Sequence, residues 1–172
     1  MPNDAPILSD RPAGGFAEGT CLATPAGPVP VETLRAGDSL LTRGGGQCRL
    51  AAVIHNDAPP DAGLVRIGVG ALGPDLPARE LTVTADQRVL MRSDDTLRLF
   101  GTAEALVLAR DLAESPVAAW PQDRAGRWVA LDLGRAEMVL ADGAWAELGA
   151  DPDGAPGALR VLSLQEIRIA AL

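Results

Sequence analysis

Few residues in this sequence have side chains able to do covalent or metal chemistry. There are two cysteines, Cys21 and Cys48, and one histidine, His55. A thiolate is a nucleophile, and a histidine can transfer protons or bind a metal near neutral pH. His55 lies in AAVIHNDAPPD, where Asp57 and Asp61 are near enough in the chain for a metal site to be conceivable. One histidine with two loop carboxylates is a weak signal, so we predict no metal and a histidine at a strand end.

The two cysteines form neither a disulfide framework nor a set of metal ligands. The positions of Cys21, Cys48 and His55 in the sequence do not indicate a catalytic cysteine–histidine pair. Such a pair stays an alternative to two inert thiols. Cys21 and Cys48 both fall in predicted strands and could face each other. We predict free, buried thiols, the ordinary state of cysteine in a reducing compartment.

Most of the chain predicts short strands that are separated by turn residues. The segment Asp142–Gly143 inside EMVLADGAWAEL is a strong signal for a tight hairpin. PVETL predicts one helical turn that begins at Pro30. Strands are also predicted, with turns or loops between them, for TCLAT, SLLTR, CRLAAVIH, LVRIGV, RWVALDL and LTVTADQRVLMR, the last of these bent at Ala85–Asp86.

One segment predicts a helix, and one is ambiguous. TAEALVLARDLAES, Thr102–Ser115, has a capping threonine, an early glutamate and apolar residues at helical spacing. The closing LRVLSLQEIRIAAL has apolar residues at both spacings and fits a strand or a helix. We therefore predict a compact, mostly β fold with a single helix near 102–115. The predicted divisions are a leader arm over 1–14, a β domain over 15–148, and a loop followed by a strand or helix over 149–172.

Charge and hydropathy exclude several classes of function. The net charge is −8, and the acidic residues are scattered without any basic stripe, which disfavours binding to nucleic acids or anionic membranes. No apolar run approaches the roughly 18 residues of a membrane helix, and the N-terminal region lacks the pattern of a signal peptide. We predict no cofactor, and a location in the cytoplasm or inside an assembled particle.

Three blocks of the sequence carry a family resemblance. In chain order they are GFAEGTCLATPAGPVPVETLRAGDSLLTR, LTVTADQRVLMRS and LGRAEMVLADGAWAE, which together span Gly15 to Glu147. These blocks resemble the Hint domain, the module that Hedgehog autoprocessing regions and inteins share with a large group of bacterial proteins. The resemblance implies a compact, all-β, pseudo-symmetric fold.

The resemblance also implies a chemistry. In that family a Cys or Ser at the first residue attacks the preceding carbonyl and converts the peptide bond into a thioester or ester. A histidine of the second block protonates the departing amide nitrogen, and a threonine of that block helps to hold the scissile peptide. On this sequence the nucleophile position is Gly15, the threonine is Thr84 and the histidine position is Gln87. A further histidine, in the third block, falls at Ala136.

The two central catalytic groups are therefore absent from this chain. Glycine has no nucleophile, and a glutamine amide donates hydrogen bonds but gives up no proton near pH 7. Cys21 lies about 20 Å from Gly15 if the chain between them is extended at ~3.3 Å per residue, whereas attack needs about 3–3.5 Å. We predict no catalytic residue and a vestigial site that consists of Gly15, Thr84, Asp86, Gln87 and Ala136.

Three functions are compatible with this pattern. The favoured one is a degenerate Hint-type domain that acts as a structural or protein-binding module, for example as an assembly subunit of a larger complex or phage-like particle. Its docking arms would be the leader MPNDAPILSDRPAGG and the apolar tail, with a disordered terminus as the alternative for the leader. The second is an autoprocessing protein with Cys21 or Cys48 as a non-standard nucleophile. The third is a binder of peptides or small molecules in a cleft around Thr84, Asp86 and Gln87.

Overall fold

A computed structural model describes residues 14–57, 60, 62–115, 118–120, 126–149 and 159–170. The strands are β1 Phe16–Ala17, β2 Cys21–Thr24, β3 Gly27–Pro30, β4 Ser39–Leu41, β5 Gln47–Arg49, β6 Ala52–Asn56, β7 Leu64–Ile67, β8 Leu81–Thr84, β9 Arg88–Arg92, β10 Glu104–Leu108, β11 Ala118–Ala119, β12 Trp128–Asp132, β13 Glu137–Ala141 and β14 Ala144–Leu148. The helices are α1 Asp94–Phe100, α2 Ala109–Ala113 and α3 Leu164–Ala170.

The strands form two six-stranded sheets and one two-stranded sheet. The order in the first sheet is β11-β7-β8-β1-β12-β6, and in the second it is β10-β9-β14-β13-β2-β3. The small sheet pairs β4 with β5, and the paired strands run antiparallel. The prediction of a mostly β fold is confirmed. The chain passes from one large sheet to the other between β1 and β2, so the first block of the sequence contributes to both.

The core is built mainly from aliphatic side chains of both sheets. Phe16, Leu22, Ile67 and Leu131 are fully buried there, and each large apolar side chain of this kind contributes about 1.5–3 kcal/mol when buried. From the C-terminal segment, Leu162 and Ile167 join the same core. None of the described helices has the length and apolar character that a membrane-crossing helix requires.

The helix predicted over Thr102–Ser115 is wrong in its first half. Residues Glu104–Leu108 form β10, which pairs with β9 along five residues, and only Ala109–Ala113 are helical. Side chains on both faces of β10 are buried, with Val107 in the main core and Leu106 in a smaller cluster behind the sheet. A strand that is buried on both faces has a continuous apolar run, which a single sequence does not distinguish from a helix.

The sequence also contained an unrecognised helix. Helix α1 begins after Ser93, whose Oγ accepts a hydrogen bond from the Asp95 N–H at 3.1 Å, and it ends at Gly101 with φ of 72°. A serine cap, two acidic residues in the first turn and a terminal glycine are the usual start and stop signals of a helix. The structure thus has three helices among its described residues, where a single one was predicted.

Local turn chemistry was predicted correctly. Asp142 and Gly143 join β13 to β14 with φ of 45° and 84°, as a tight hairpin turn requires. A single 3₁₀ turn, Val31–Thr33, follows Pro30, and the chain bends between β8 and β9 at Ala85–Asp86. The ambiguous tail contains one parallel bridge at Val161, followed by helix α3. The predicted leader, except Gly14, and the loop over 150–158 lie outside the described residues.

Candidate functional site

The backbone of Gly15 is held by Thr84. The Gly15 N–H donates to Thr84 Oγ1 at 2.9 Å, and the Thr84 N–H donates to the Gly15 carbonyl at 3.0 Å. These bonds arise because β1 lies between β8 and β12 in the first sheet. Thr84 is only 4 % exposed, so both bonds are made away from bulk water. The structure therefore brings together two of the residues that the sequence predicted for the site.

Gly15 has no space for a side chain. A Cβ placed on Gly15 would lie 2.6 and 2.8 Å from two ring carbons of Trp128, and 2.7 Å from the carbonyl oxygen of Val129. Non-bonded carbon atoms are comfortable at about 3.5–4.0 Å. Neither a cysteine nor a serine fits at this position unless strand β12 and the Trp128 ring move. No feature of the sequence signalled that Trp128 would fill the position next to Gly15.

Gln87 is fixed beside the residue that precedes Gly15. It is 1 % exposed, and its Nε2 donates to the carbonyl oxygens of Glu147 at 2.7 Å and Arg88 at 2.9 Å. Its Oε1 is buried and has no hydrogen-bond partner among the described residues. A Cβ on Gly14 would stand 2.5 Å from this Oε1 and 2.8 Å from the Gln87 Cα. Two successive glycines thus let the chain pass between Gln87 on one side and Trp128 on the other.

The contact between Thr84 and Gly15 can be tested by mutation. Thr84→Val keeps the shape of the side chain but leaves the buried Gly15 N–H without its acceptor. We expect it to lower the free energy of unfolding by about 1–3 kcal/mol, measured by urea denaturation. Thr82→Val, at a half-exposed position on the same strand, is the matched control and should change stability by less than about 0.5 kcal/mol. Equal losses from both variants would contradict the role of the Thr84 hydroxyl.

Glu147 is a buried acid that sequence reasoning missed. It is 4 % exposed, its Oε2 lies 3.4 Å from an Arg88 nitrogen, and its Oε1 is buried without a hydrogen-bond partner in the described structure. Burial raises the pKa of the Glu147 carboxyl, and the neighbouring Arg88 offsets part of that rise. The only signal in the sequence was a single acid inside the apolar strand AWAEL. Its backbone carbonyl holds Gln87, so Glu147 supports the site as part of β14.

The other two predicted residues of the vestigial site lie apart from this contact. Asp86 forms an ion pair with Arg110 at 2.8 Å, with both side chains about half exposed. Ala136 lies just before β13, and no hydrogen bond among the described residues joins its backbone to Gly15 or Gln87. The arrangement therefore consists of Gly15, Thr84 and Gln87, with Asp86 at the surface.

The two cysteines are free, as predicted, but they are half-buried rather than buried. The Cys21 thiol lies 3.7 Å from the carbonyl oxygen of Gly19, and the Cys48 thiol lies 4.0 Å from that of Leu133. The Cys21 N–H faces Asp142 Oδ1 at 3.3 Å. Burial raises the pKa of the Asp142 carboxyl in spite of this hydrogen bond and the nearby Arg79.

The assumption that an extended chain joins Gly15 to Cys21 is wrong. The Thr20 N–H donates to the Ala17 carbonyl at 3.2 Å, and Gly19 has a φ of 92°, so the chain turns between them. Cys21 consequently lies on β2 in the second sheet, whereas Gly15 immediately precedes β1 in the first. A distance obtained by counting extended residues does not apply across such a turn.

The candidate metal ligands do not form a group in the described structure. His55 is exposed on β6, and Asp57 lies 3.4 Å from Arg127 in an exposed ion pair. Asp61 lies outside the described residues. Within the described part of the chain, no three His, Cys, Asp or Glu side chains come together as metal ligands.

The fold and site define a mostly β domain in which Thr84, at the end of β8, holds the backbone of Gly15 by two hydrogen bonds. A family model described as "Hint domain" matches residues 14–150, and the chain belongs to this family. The resemblance stated from the sequence is thereby confirmed. Comparison with curated proteins finds no match.

Solved structures similar to this chain include intein-type domains. A bacterial intein-like domain from Clostridium thermocellum shares 14 % identity, with a TM-score of 0.49 over 78 % of this chain and 98 % of that one. A splice-inactive variant of the AceL NrdHF class 3 split intein shares 12 %, with a TM-score of 0.48 over 80 % and 98 %. The MchDnaB-1 intein shares 19 %, with a TM-score of 0.42 over 77 % and 98 %. The family assignment rests on the match to the family model, since these TM-scores are below 0.5.

Proposed function

We propose that this chain is a Hint domain that does not process itself and acts as a structural or protein-binding module, as a subunit of a larger complex or a phage-like particle. The observation that carries the proposal is the filled space at Gly15. Trp128 and the Val129 carbonyl occupy the volume that a nucleophilic side chain would need. A side chain at a position closed in this way would clash with β12, which argues against attack on the preceding carbonyl from this residue.

The state of Gln87 supports the same function. Cleavage of an amide needs an acid that protonates the leaving nitrogen, and a glutamine side chain cannot supply that proton. Its two amide hydrogens are already committed to the backbone carbonyls of Arg88 and Glu147. Gln87 therefore ties β14 to the start of β9, which is a structural role in place of the catalytic one.

Exposed aliphatic side chains on two helices support the binding half of the proposal. Leu97 and Leu99 of α1 are 48 % and 51 % exposed, and Ile169 of α3 is 55 % exposed. Helices α1 and α3 contact each other. The exposed aliphatic side chains of these two helices are the part of the described surface to which we assign the contact with another protein.

A second candidate function is autoprocessing at Cys21, and one observation favours it. The Cys21 N–H donates to Asp142 Oδ1 at 3.3 Å, so a carboxyl group whose pKa is raised by burial lies beside the nitrogen that an acyl shift to this thiol would release. In that reaction the Cys21 sulfur would form a thioester with the Thr20 carbonyl carbon, the Thr20–Cys21 amide bond would break, and the nitrogen would take a proton. Against it, the Thr20 carbonyl accepts from the Val31 N–H at 2.8 Å, as in an ordinary β-ladder.

Intact-mass measurement separates the two candidates. The purified chain is incubated with and without dithiothreitol and hydroxylamine, which release thioesters and esters. We expect the full-length mass in every condition. A fragment that begins at Gly15 would contradict the proposal outright. A fragment that begins at Cys21 or Cys48, and that disappears in the corresponding Cys→Ala variant, would establish autoprocessing by a non-standard nucleophile.

A further inference from the structure

The outer strands of the two six-stranded sheets are β11 and β6 in the first and β10 and β3 in the second. An outer strand presents backbone N–H and C=O groups that can pair with another chain, and proteins usually block such strands. β10 is covered, because the Leu106 N–H donates to the Arg160 carbonyl and the Leu162 N–H donates to the Leu106 carbonyl. β11 is only two residues long.

Strand β3 is blocked by prolines. The Cys21 carbonyl accepts a hydrogen bond from the Asp142 N–H. The backbone N–H and C=O groups of Cys21 and Ala23 therefore point towards β13. The alternate residues of β2 then bond to Val29 and Gly27 of β3, which leaves Pro28 and Pro30 at the outward positions. Proline has no N–H, so this edge cannot donate to another strand.

Strand β6 has no such protection among the described residues. The Glu18 N–H donates to the Arg127 carbonyl, so the odd-numbered residues of β12 bond to β1 and the even-numbered ones bond to β6. Their partners are Ala52, Ile54 and Asn56, and the N–H and C=O groups of Val53 and His55 therefore point outward. The strand AVIHN contains no proline, lysine, arginine or carboxylate.

We propose that two copies of this chain pair antiparallel through β6, about a two-fold axis at Ile54. In this register Val53 of each copy lies opposite His55 of the other, and their outward groups form four backbone hydrogen bonds. Val53 packs against the core, so Ile54 lies on the opposite face of the sheet, where it meets the same residue of the partner. No like charges face each other in the paired strands. The sheet that contains β6 in one copy becomes continuous with the same sheet in the other copy. This inference goes beyond the proposed function, because it holds whether or not the chain processes itself.

The test is sedimentation velocity of the full chain over a range of concentrations. Wild type is expected to dimerise as concentration rises. Ile54→Glu and Ile54→Lys each place like charges directly opposite at the axis and should weaken association at least about tenfold. An equimolar mixture of the two variants should regain association, because the introduced glutamate and lysine then face each other and attract. Val69→Glu, at a 67 % exposed valine outside β6, is the matched control and should dimerise like wild type.

Each outcome decides for or against the proposal. Circular dichroism verifies that the variants are folded, and His55→Pro provides a second test, because it removes an outward N–H while the bonds to β12 remain. A wild type that stays monomeric at every concentration would overturn the proposal. Dimers that persist in Ile54→Glu, or a mixture of the Ile54→Glu and Ile54→Lys variants that fails to associate, would place the interface elsewhere.

Discussion

The double variant Gly15→Cys/Gln87→His is expected to remain uncleaved, although it introduces both residue types that the resemblance to the Hint family predicts at these positions. The introduced thiol has no room, because its Cβ would lie 2.6 Å from the Trp128 ring and 2.7 Å from the Val129 carbonyl. The ring can rotate, whereas the carbonyl belongs to the β12 backbone and moves only with the sheet. Intact mass after incubation with dithiothreitol is the measurement. A product that begins at residue 15 would show that the closed site opens readily.

The same clash makes Gly15→Cys destabilising. We expect the variant to lose about 1–3 kcal/mol in the free energy of unfolding, the usual cost of overpacking a closed site. Gly15→Ala carries the same Cβ without the thiol and should lose about as much. Ala17→Cys adds only a sulfur atom to a half-buried residue that already has a Cβ, so it should lose clearly less. If Gly15→Ala is as stable as wild type, the space at Gly15 is not closed.

Arg88→Met is expected to destabilise the protein by about 3 kcal/mol at about pH 8, because it leaves the Glu147 carboxylate buried without its cation. The double variant Arg88→Met/Glu147→Gln removes both charges and should recover most of the loss. Thermal or urea unfolding measures both. The interpretation fails if the double variant is as unstable as Arg88→Met alone.

The pH dependence of this effect has a definite sign. Burial raises the pKa of Glu147 in the folded state, so the folded protein holds its proton over a range in which the unfolded chain has lost it. Stability from this group is present below the unfolded pKa and is lost as pH rises through the folded pKa. The loss in Arg88→Met should therefore be smaller at about pH 5 than at about pH 8. Glu147→Gln should remove this part of the pH dependence.

Local chemistry was readable in the sequence. The Asp142–Gly143 turn, the 3₁₀ turn after Pro30 and the short strands follow from φ preferences and from apolar spacing within a few residues. The family resemblance also depended on short blocks, and it predicted Thr84 as the residue that holds the peptide at Gly15. Helix α1 belongs here too, because Ser93 and Gly101 signalled it and the signals were overlooked.

Only the tertiary structure decided the remaining features, because each depends on partners distant in sequence. Glu104–Leu108 is a strand because β9 pairs with it, against its own helical spacing. Gly15 is closed because Trp128 lies beside it in the neighbouring strand. Sequence spacing fixes which residues are neighbours along the chain. Sheet order determines which backbones come within contact distance, and that order places Trp128 and the Val129 carbonyl against Gly15.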